Sequence, residues 1–239
     1  MSNNPRFLLD EPLVQPGEYA LGRQESHHAV NVLRLKDGEA VIVFDGLGNY
    51  ADGLIVDADK NTVRIKVDGV LAENHLPLRL TLATAIPKGK RWQVLVEKCT
   101  ELGVDRILPM LTERSVVKGE GDAEKWRRWV IEAAKQSRRA RLPEITEPMR
   151  LPDVFALAKQ DRALFLLADP QGESPGTYRD MLNHACEVVV MVGPEGGFSK
   201  RETEECLEHG ARTIRLSPFT LRVETAAATV CAIIREVLL

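Results

Sequence analysis

The stretch VVVMVGPEGGFSKRETEECLEHG, residues 188–210, decides how the second half of this 239-residue chain is interpreted. Five apolar residues lead into a turn that holds three glycines, a proline and Glu195, and a helical pattern follows. Ser199 and Glu202 form an S-x-x-E capping box, which predicts that the helix begins just after Phe198. The stretch therefore predicts a strand, a glycine loop and a helix, an order that is typical of nucleotide-binding proteins.

The loop sequence itself disagrees with a bound nucleotide. GPEGGF is not G-x-G-x-x-G, and G-x-x-x-x-G-K-[ST] occurs nowhere in the chain. A pyrophosphate about 4 Å from Glu195 would be repelled by about 4 kcal/mol at an effective dielectric constant near 20. S-adenosylmethionine carries a sulfonium and an ammonium but no phosphate, so it suits this loop. A glycine turn with a purely structural role is the alternative, since glycine permits positive φ in any tight turn.

The composition is that of an ordinary soluble globular protein, with 44% apolar and 28% charged residues. No apolar run approaches the roughly 18–20 residues of a membrane span, and the start of the chain lacks the layout of a signal peptide. The cysteines form neither a CxxC motif nor a zinc pattern, so we expect reduced thiols, no metal site and a cytoplasmic protein. They are Cys99, Cys186, Cys206 and Cys231.

Positive charge is concentrated in one segment of a chain whose net charge is −3. Residues 125–141, KWRRWVIEAAKQSRRAR, hold seven basic residues and one acidic residue, hence a local charge of +6. Charge polarised in this way orients polyanions, although a solvated helix face is the more common reason for a charged run.

The first third of the chain has the period of short β-strands, and the remainder alternates strands with helices. Segments 39–46, 49–58 and 61–69 alternate apolar and polar residues, with Asp-Gly pairs at 45–46, 52–53 and 68–69 predicted as turns of a small antiparallel barrel. After a break at 71–77, continuous apolar strands predict a parallel sheet covered on both faces. Strands are predicted at 78–86, 105–111, 163–169, 187–193 and 213–217, and helices at 90–103 (capped by Gly103), 123–140 and 223–238.

A second segment, RLSPFTLRVETAAATVCAIIREVLL at 215–239, contains a strand, a turn at Ser217-Pro218 and a helix rich in small residues. A core helix would explain the alanines at 226–228, but it leaves Arg222 and Glu224 unexplained.

GPEGGF together with LSPFTLRVETAAA resembles the two cofactor motifs of the SPOUT methyltransferases, specifically the bacterial 16S ribosomal RNA uridine-N3 methyltransferase family (small-subunit methyltransferase E). HHAVNVLRLKDGE at 27–39 and FDG at 44–46 resemble the N-terminal PUA-like barrel of that family. KCTELGVDRILPMLTERS at 98–115 and QSRRARLPEI at 136–145 resemble its catalytic domain. Several motifs in the same order make the resemblance specific and extend it over most of the chain.

The resemblance implies an α/β fold in two domains, a PUA-like RNA-binding β-barrel at 1–72 and a SPOUT domain at 73–239 with a mostly parallel sheet and a deep trefoil knot. The residue pattern alone predicts an unknotted doubly wound sheet. Family members are homodimers that hold S-adenosylmethionine in the knot, and RNA approaches over the dimer interface. Carried over by position, the cofactor-binding residues are Leu167, Gly193, Glu195, Gly196, Leu216, Leu221 and Arg222.

The sequence departs from the family pattern in two places. Ser217 and Phe219 stand where the family usually has Gly and Arg, which bears on contacts of the adenine loop. Arg138 and Ala140 stand where a small residue and Asn are commoner, which bears on RNA contacts.

Methylation of uridine N3 also requires loss of the N3 proton from a base that is unpaired or flipped out. Arg222 is the candidate that stabilises the resulting anion, and Glu195 and Glu224 are the candidate bases. The predicted RNA-binding residues are Arg6, His28, Arg34, Lys88, Lys90, Arg91, Arg138, Arg139 and Arg141, with a structural role as the alternative for His28.

Three other functions stay open from the sequence. A dinucleotide-dependent oxidoreductase would bind NAD(P), but the loop lacks the fingerprint. A non-catalytic RNA-binding or ribosome-assembly module would leave GPEGGF and LRVETA without a purpose. The same fold acting on a different RNA nucleotide is the third, because the residues alone do not identify the base.

Overall fold

The computed structural model describes residues 4–59, 61–74, 76–116, 121–160 and 163–237. The chain divides into two compact units, the first comprising Met1–His75 with Ala134–Leu142 and the second Leu76–Ala133 with Pro143–Leu239. The domain limits 1–72 and 73–239 stay a prediction. Among the described helices, none has the length and apolar character needed to cross a bilayer.

A six-stranded sheet forms the first unit, in the order β1-β3-β4-β5-β2 with β6 paired to β4. Its pairs are antiparallel except for β1 with β3, and among the described residues the pairing is an open path, so closure into a barrel stays a prediction. Helix α1 continues as a π-helical turn over His28–Val32. The elements are β1 Arg6–Leu8, β2 Gly17–Ala20, α1 Arg23–His27, β3 Ala40–Phe44, β4 Asn49–Ala58, β5 Val63–Val67 and β6 Leu71–Ala72.

The core of the first unit follows the two-residue period of its strands. In β5, Val63, Ile65 and Val67 are buried while the residues between them are exposed. They pack with Ile55 of β4 and Phe7 of β1 in one apolar cluster. Alternation in the sequence therefore assigns one face of this sheet to the core.

The predicted turn at Asp52-Gly53 is wrong, because β4 runs without a break from Asn49 to Ala58. Asp52 pairs with Ile42, and a Cβ on Gly53 would lie 2.5 Å from Ile65 Cγ2 and 3.0 Å from the Lys66 carbonyl oxygen. The glycine thus permits close approach of β5 instead of a reversal of the chain.

The second unit is built on a sheet in the order β10-β8-β7-β12-β11-β13, with β9 paired to β8, and all of these pairs are parallel. Every residue of β12 is buried, so both faces of the sheet are covered there, as the sequence predicts. Its strands are β7 Arg79–Ala85, β8 Arg106–Leu111, β9 Glu144–Ile145, β10 Met149–Arg150, β11 Leu164–Glu173, β12 Glu187–Val192 and β13 Arg212–Ile214. The remaining helices of the chain are α2 Lys90–Glu101, α3 Ala123–Ser137, α4 Leu151–Gln160, α5 Arg179–His184, α6 Lys200–Glu208 and α7 Val223–Val237.

Helices α2 and α7 pack side by side in the same direction. Cys99 and Cys231 meet in the buried interface, and a hydrogen bond that the Cys99 thiol makes to Cys231, together with burial, raises the pKa of Cys99. One turn further along both helices, Arg235 Nε donates to the Gly103 carbonyl oxygen at 3.0 Å and Nη2 to Asp105 Oδ2 at 2.6 Å. Gly103 has a φ of +87° directly after the last residues of α2, which confirms its predicted role at that helix end.

Candidate functional site

A cavity of about 270 Å³ lies in the second unit, where the later part of β11 meets the loops after β12 and β13. Because these neighbouring strands are parallel, their carboxyl ends share one edge of the sheet, which is where open α/β sheets bind ligands. The lining residues are Ala168, Asp169, Pro170, Val192, Gly193, Pro194, Glu195, Gly197, Phe198, Thr203, Leu216, Ser217, Phe219, Thr220, Leu221, Val223 and Ala226.

The three glycines of the loop after β12 have different structural requirements. A Cβ on Gly193 would lie 2.9 Å from two carbons of the Phe198 ring, so no larger residue fits without moving that ring. Gly197 has a φ of +67°, and its N–H donates to the Pro194 carbonyl oxygen at 2.8 Å. At Gly196 a Cβ would meet only Arg114, at 3.4 Å from its Cδ.

The capping box predicted at the start of α6 is confirmed. Ser199 Oγ accepts from the Glu202 N–H at 3.2 Å, and Glu202 Oε2 accepts from the Ser199 N–H at 2.8 Å. The other oxygen of this buried carboxylate accepts from the Glu113 N–H at 2.7 Å. Glu202 therefore joins the end of the glycine loop to the segment after β8, in addition to capping its own helix.

The charged residues that line the cavity are acidic. Of the described residues that line it, Asp169 and Glu195 are acids and none is basic. Glu195 Oε1 lies 2.9 Å from Arg91 Nη1, and the two side chains are 37% and 35% exposed, so this ion pair contributes at most about 1 kcal/mol. A phosphate group inside the cavity would face carboxylates, whereas a cationic ligand would be attracted to them.

Arg114 fixes the loop from outside the cavity. Its Nη1 donates to the Gly196 carbonyl oxygen at 2.7 Å and to the Phe198 carbonyl oxygen at 3.3 Å. These bonds turn two carbonyl groups of the loop toward the guanidinium, and they set the path of the backbone between Glu195 and α6.

Four of the seven predicted cofactor-binding residues lie together at the cavity, namely Gly193, Glu195, Leu216 and Leu221. Leu167 is buried in β11 one residue before the lining begins, and Gly196 lies against Arg114. Arg222 has an exposed side chain, and its carbonyl oxygen accepts from the Ala226 N–H at 2.8 Å. Direct cofactor contact by Leu167, Gly196 and Arg222 stays a prediction.

In the first unit, residues 138–141 form what we call the basic turn. Arg138 has a φ of 62°, and the N–H groups of Ala140 and Arg141 both donate to Glu73 Oε2, at 3.1 and 2.7 Å. Gly48 N–H donates to the Ala140 carbonyl oxygen at 3.3 Å. The backbone of the turn is thus fixed, while the side chains of Arg138 and Arg141 are exposed.

Arg6 holds the basic turn through a hydrogen bond to its backbone. Its Nη2 donates to the Arg139 carbonyl oxygen at 3.2 Å, and its guanidinium lies 5.2 Å from the centroid of the Phe44 ring. Burial is the main cause that lowers the pKa of Arg6. These contacts give Arg6 a structural role, and a direct contact with phosphate stays a prediction.

The other predicted RNA-binding residues differ in exposure. His28 is half-buried, with its ring edge-on to Phe7 at 6.3 Å, in agreement with the structural alternative for this residue. Arg34, at a φ of 59°, is exposed, as are Lys88 and Lys90. Contact between RNA and any of these side chains stays a prediction.

Sequence reasoning missed Arg114, Asp169, Thr203 and Thr220. Asp169 has a recognisable signal, because it lies in β11 directly after the apolar run at 164–168, and the neighbouring strand β12 leads into the glycine loop at the same edge of the parallel sheet. Arg114 follows β8 in the same way, but nothing local to it indicates a partner 82 residues further along the chain.

Comparison with known proteins agrees with this geometry. The RNA methyltransferase domain family matches residues 74–235, and the RNA methyltransferase PUA domain family matches residues 21–68. The ribosomal RNA small subunit methyltransferase E of Synechocystis is 34% identical over 236 residues, which cover 98% of this chain and 78% of the relative. The protein of the same name from Aquifex aeolicus is 37% identical over 180 residues, 74% of this chain and 76% of the relative.

Solved structures give the same result for the fold. The ribosomal RNA small subunit methyltransferase E of Neisseria gonorrhoeae, bound to S-adenosylmethionine, superposes with a TM-score of 0.87 at 28% identity over 98% of both chains. A Legionella pneumophila protein in complex with the same cofactor also gives 0.87, at 29% identity and 98% of both chains. The matched domains and the identity over nearly the whole length place this chain in the ribosomal RNA small subunit methyltransferase E family of RNA methyltransferases.

Proposed function

We propose that this protein transfers a methyl group from S-adenosylmethionine to N3 of a uridine in 16S small-subunit ribosomal RNA. The observation that carries the proposal is the acidic cavity at the carboxyl ends of β11, β12 and β13, which favours a cation and opposes a phosphate. The two solved relatives with this cofactor bound support it, because they match the fold over 98% of the chain.

The residues that line the cavity fit such a cofactor. Val192, Pro194, Leu216 and Leu221 provide apolar surface for an adenine ring. The carboxylates of Asp169 and Glu195 provide acceptors for ribose hydroxyls and attraction for the cationic groups. When bound, the cofactor supplies an activated methyl group, and the protein supplies alignment, which is worth up to about 7–11 kcal/mol of the barrier.

The reaction also has to remove the uridine N3 proton. The bond from N3 to the methyl carbon forms as the bond from sulfur to that carbon breaks, and the proton passes to a carboxylate. Glu224 Oε2 is buried and has no hydrogen-bond partner among the described residues, whereas Glu195 is already paired with Arg91. This difference supports Glu224 as the base in place of Glu195. Arg222, which adjoins the lining residues Leu221 and Val223, is proposed to stabilise negative charge on the uracil oxygens.

The proposal includes a homodimer formed through α7, a trefoil knot within residues 73–239, RNA bound over the dimer interface and a location in the cytoplasm within reach of the small ribosomal subunit. It is supported by the family relationship and by the alanines at 226–228, which allow close helix packing. A monomer in sedimentation at micromolar concentration, with full activity, would contradict the dimer.

The decisive experiment is mass spectrometry of 16S ribosomal RNA from a strain that lacks the gene, before and after it is restored. We expect one N3-methylated uridine to disappear and return. Methylation of another nucleotide would contradict uridine N3 as the methylated position. An unchanged RNA would favour a non-catalytic assembly module. Calorimetry with S-adenosylmethionine and with NAD distinguishes the methyltransferase from the oxidoreductase alternative. The oxidoreductase would bind NAD and not S-adenosylmethionine.

The role of Arg222 has its own test. Arg222→Ala should lower kcat in single-turnover methylation while RNA affinity stays nearly intact, because the charge it opposes develops only during the reaction. If the variant loses only RNA affinity, Arg222 is a binding residue and the assignment is wrong.

A further inference from the structure

Phe219 is the most exposed of the large apolar side chains in the described part of the chain, with 79% of its surface accessible. Aromatic rings bury about 150–250 Å² when they pack, so a ring left in water is costly unless a partner covers it during function. Phe219 stands in the turn between β13 and α7, and the reaction described above gives it no role.

The turn fixes where the ring stands. Ser217 Oγ accepts from the Phe219 N–H at 3.0 Å, and Pro218 between them restricts the backbone further. Ser217, Phe219 and Leu221 all line the cavity, so the ring lies at its rim while most of its surface faces solvent. A planar apolar surface is thus placed beside the position from which a substrate would enter.

The charges of the same segment identify the kind of partner. Arg215 and Arg222 lie on either side of the turn, and both side chains are exposed. Residues 214–223 contain no acidic residue. An exposed aromatic ring between two arginines suits a single-stranded polyanion whose bases are free to stack.

We propose that Phe219 is an RNA-binding residue that stacks on an unpaired base at the rim of the cofactor cavity and so positions the target nucleotide. The inference rests on the proposed function, because it takes RNA as the substrate. It goes further by assigning substrate positioning to a residue that departs from the usual family pattern. The carbon-only ring adds no charge, so its contribution is independent of salt, unlike that of the two arginines.

The kinetic test compares Phe219→Ala, Phe219→Leu and Phe219→Trp. Stacking on one base is worth about 1–3 kcal/mol, which at 1.4 kcal/mol per tenfold is a rise in RNA KM of roughly 5- to 150-fold for Phe219→Ala. Phe219→Trp should retain the wild-type KM, and Phe219→Leu should stay impaired because it keeps apolar bulk but loses the ring. Leu207→Ala, which removes an exposed apolar side chain from α6, is the control and should not change KM.

Four results would overturn the proposal. The first is an unchanged RNA KM in Phe219→Ala, and the second is equal KM values for the Leu and Trp variants. The third is an increase in the S-adenosylmethionine Kd that matches the increase in RNA KM, because the ring would then belong to the cofactor site. A monomer in sedimentation of Phe219→Ala, beside a dimeric wild type, would assign the ring to the protein interface and overturn it as well.

A fluorescence test is independent of turnover. In Phe219→Trp, an oligoribonucleotide of the target region should quench the added indole, and S-adenosylmethionine alone should not. The wild-type chain with its three tryptophans provides the background signal. If the wild type binds this RNA but never methylates it, the proposed function fails while the stacking result still stands. Absence of quenching at saturating RNA contradicts the stacking.

Discussion

The glycine loop at 193–198 and the basic turn at 138–141 are both short segments whose backbone is held by side chains from elsewhere in their own unit. Arg114 and Glu202 hold the C-terminal part of the loop and Ser199 after it, and Glu73 and Arg6 hold the turn. The loop brings its backbone and three glycines to the cavity beside the side chains of Pro194, Glu195 and Phe198, so we expect its shape to control cofactor binding. The turn presents the exposed guanidinium groups of Arg138 and Arg141, so we expect charge to control any binding there. Both segments have an anchored backbone. They differ in the groups that they expose, and we expect those groups to determine which kind of ligand each segment binds.

The largest expected effect is on the shape of the glycine loop. In Gly193→Val, the new Cβ would lie 2.9 Å from the Phe198 ring, so that ring, which lines the cavity, would have to move. Overpacking of this kind costs about 1–3 kcal/mol, and if the cofactor site bears this cost the S-adenosylmethionine Kd should rise roughly 5- to 150-fold in calorimetry. RNA affinity should hardly change.

The control for this variant is Gly176→Ala in the same unit, where a Cβ would meet only Ser174 Oγ at 4.0 Å. It should bind the cofactor as the wild type does. A folded Gly193→Val protein with wild-type cofactor affinity would contradict the prediction that the shape of the glycine loop controls cofactor binding.

The second effect concerns charge in the basic turn. Arg138→Ala and Arg141→Ala each remove an exposed guanidinium without removing the N–H groups that Glu73 holds. If both side chains contact phosphates, each change should reduce the salt slope of RNA binding by roughly 0.7–0.9. Cofactor affinity should stay constant. An unchanged slope in the double variant would show that these arginines form a solvated surface.

A smaller effect is expected for Arg114, which holds the backbone of the glycine loop. Arg114→Ala removes two hydrogen bonds to carbonyl groups, and the exposed position limits their value to about 0.5–1.5 kcal/mol. The S-adenosylmethionine Kd should therefore rise roughly 2- to 10-fold, with Arg114→Lys in between. A loss larger than that of Gly193→Val would contradict the ranking of shape over anchoring.

The smallest effect depends on pH. Hydrogen bonds from the Ser199 hydroxyl and from Arg201 lower the pKa of Glu113 below its ordinary value of 4.5. Because the folded-state pKa is the lower one, this stabilisation is present above pH 4.5 and is lost as the pH falls through the folded value. Glu113→Gln should lower Tm at pH 7, and its difference from the wild type should shrink below about pH 4. A difference that grows in acid would contradict this sign.

Local features of both regions are readable from sequence. The capping box at Ser199 and Glu202 spans one helical turn, and β4 covers the β-segment predicted at 49–58, although without the turn predicted at its centre. The buried strand β12 follows from its continuous apolar run. In each case the residues that determine the structure are neighbours along the chain, so a short window contains the necessary physics.

What the sequence does not reveal depends on partners far along the chain. Glu73 accepts from Arg141 across 68 residues and Arg114 donates to Gly196 across 82, and neither residue has a local pattern. The misread Asp52-Gly53 pair has the same cause, because the contact that requires glycine comes from Ile65 on another strand. Helix α4, Leu151–Gln160, is missing from the prediction as well.

The rates at which the cysteines react can be used to measure how often helices α2 and α7 separate. Cys186 is exposed, whereas Cys99 and Cys231 are buried against each other, so an alkylating reagent should label the first at once and the other two only when the helices separate. The labelling of Cys99 and Cys231, read by peptide mapping separately from that of Cys206, which is buried in α6, reports the free energy of that local opening in the unaltered protein. Repeating it with S-adenosylmethionine present would show whether the ligand holds α7 closed, since Val223 and Ala226 at its start line the cavity.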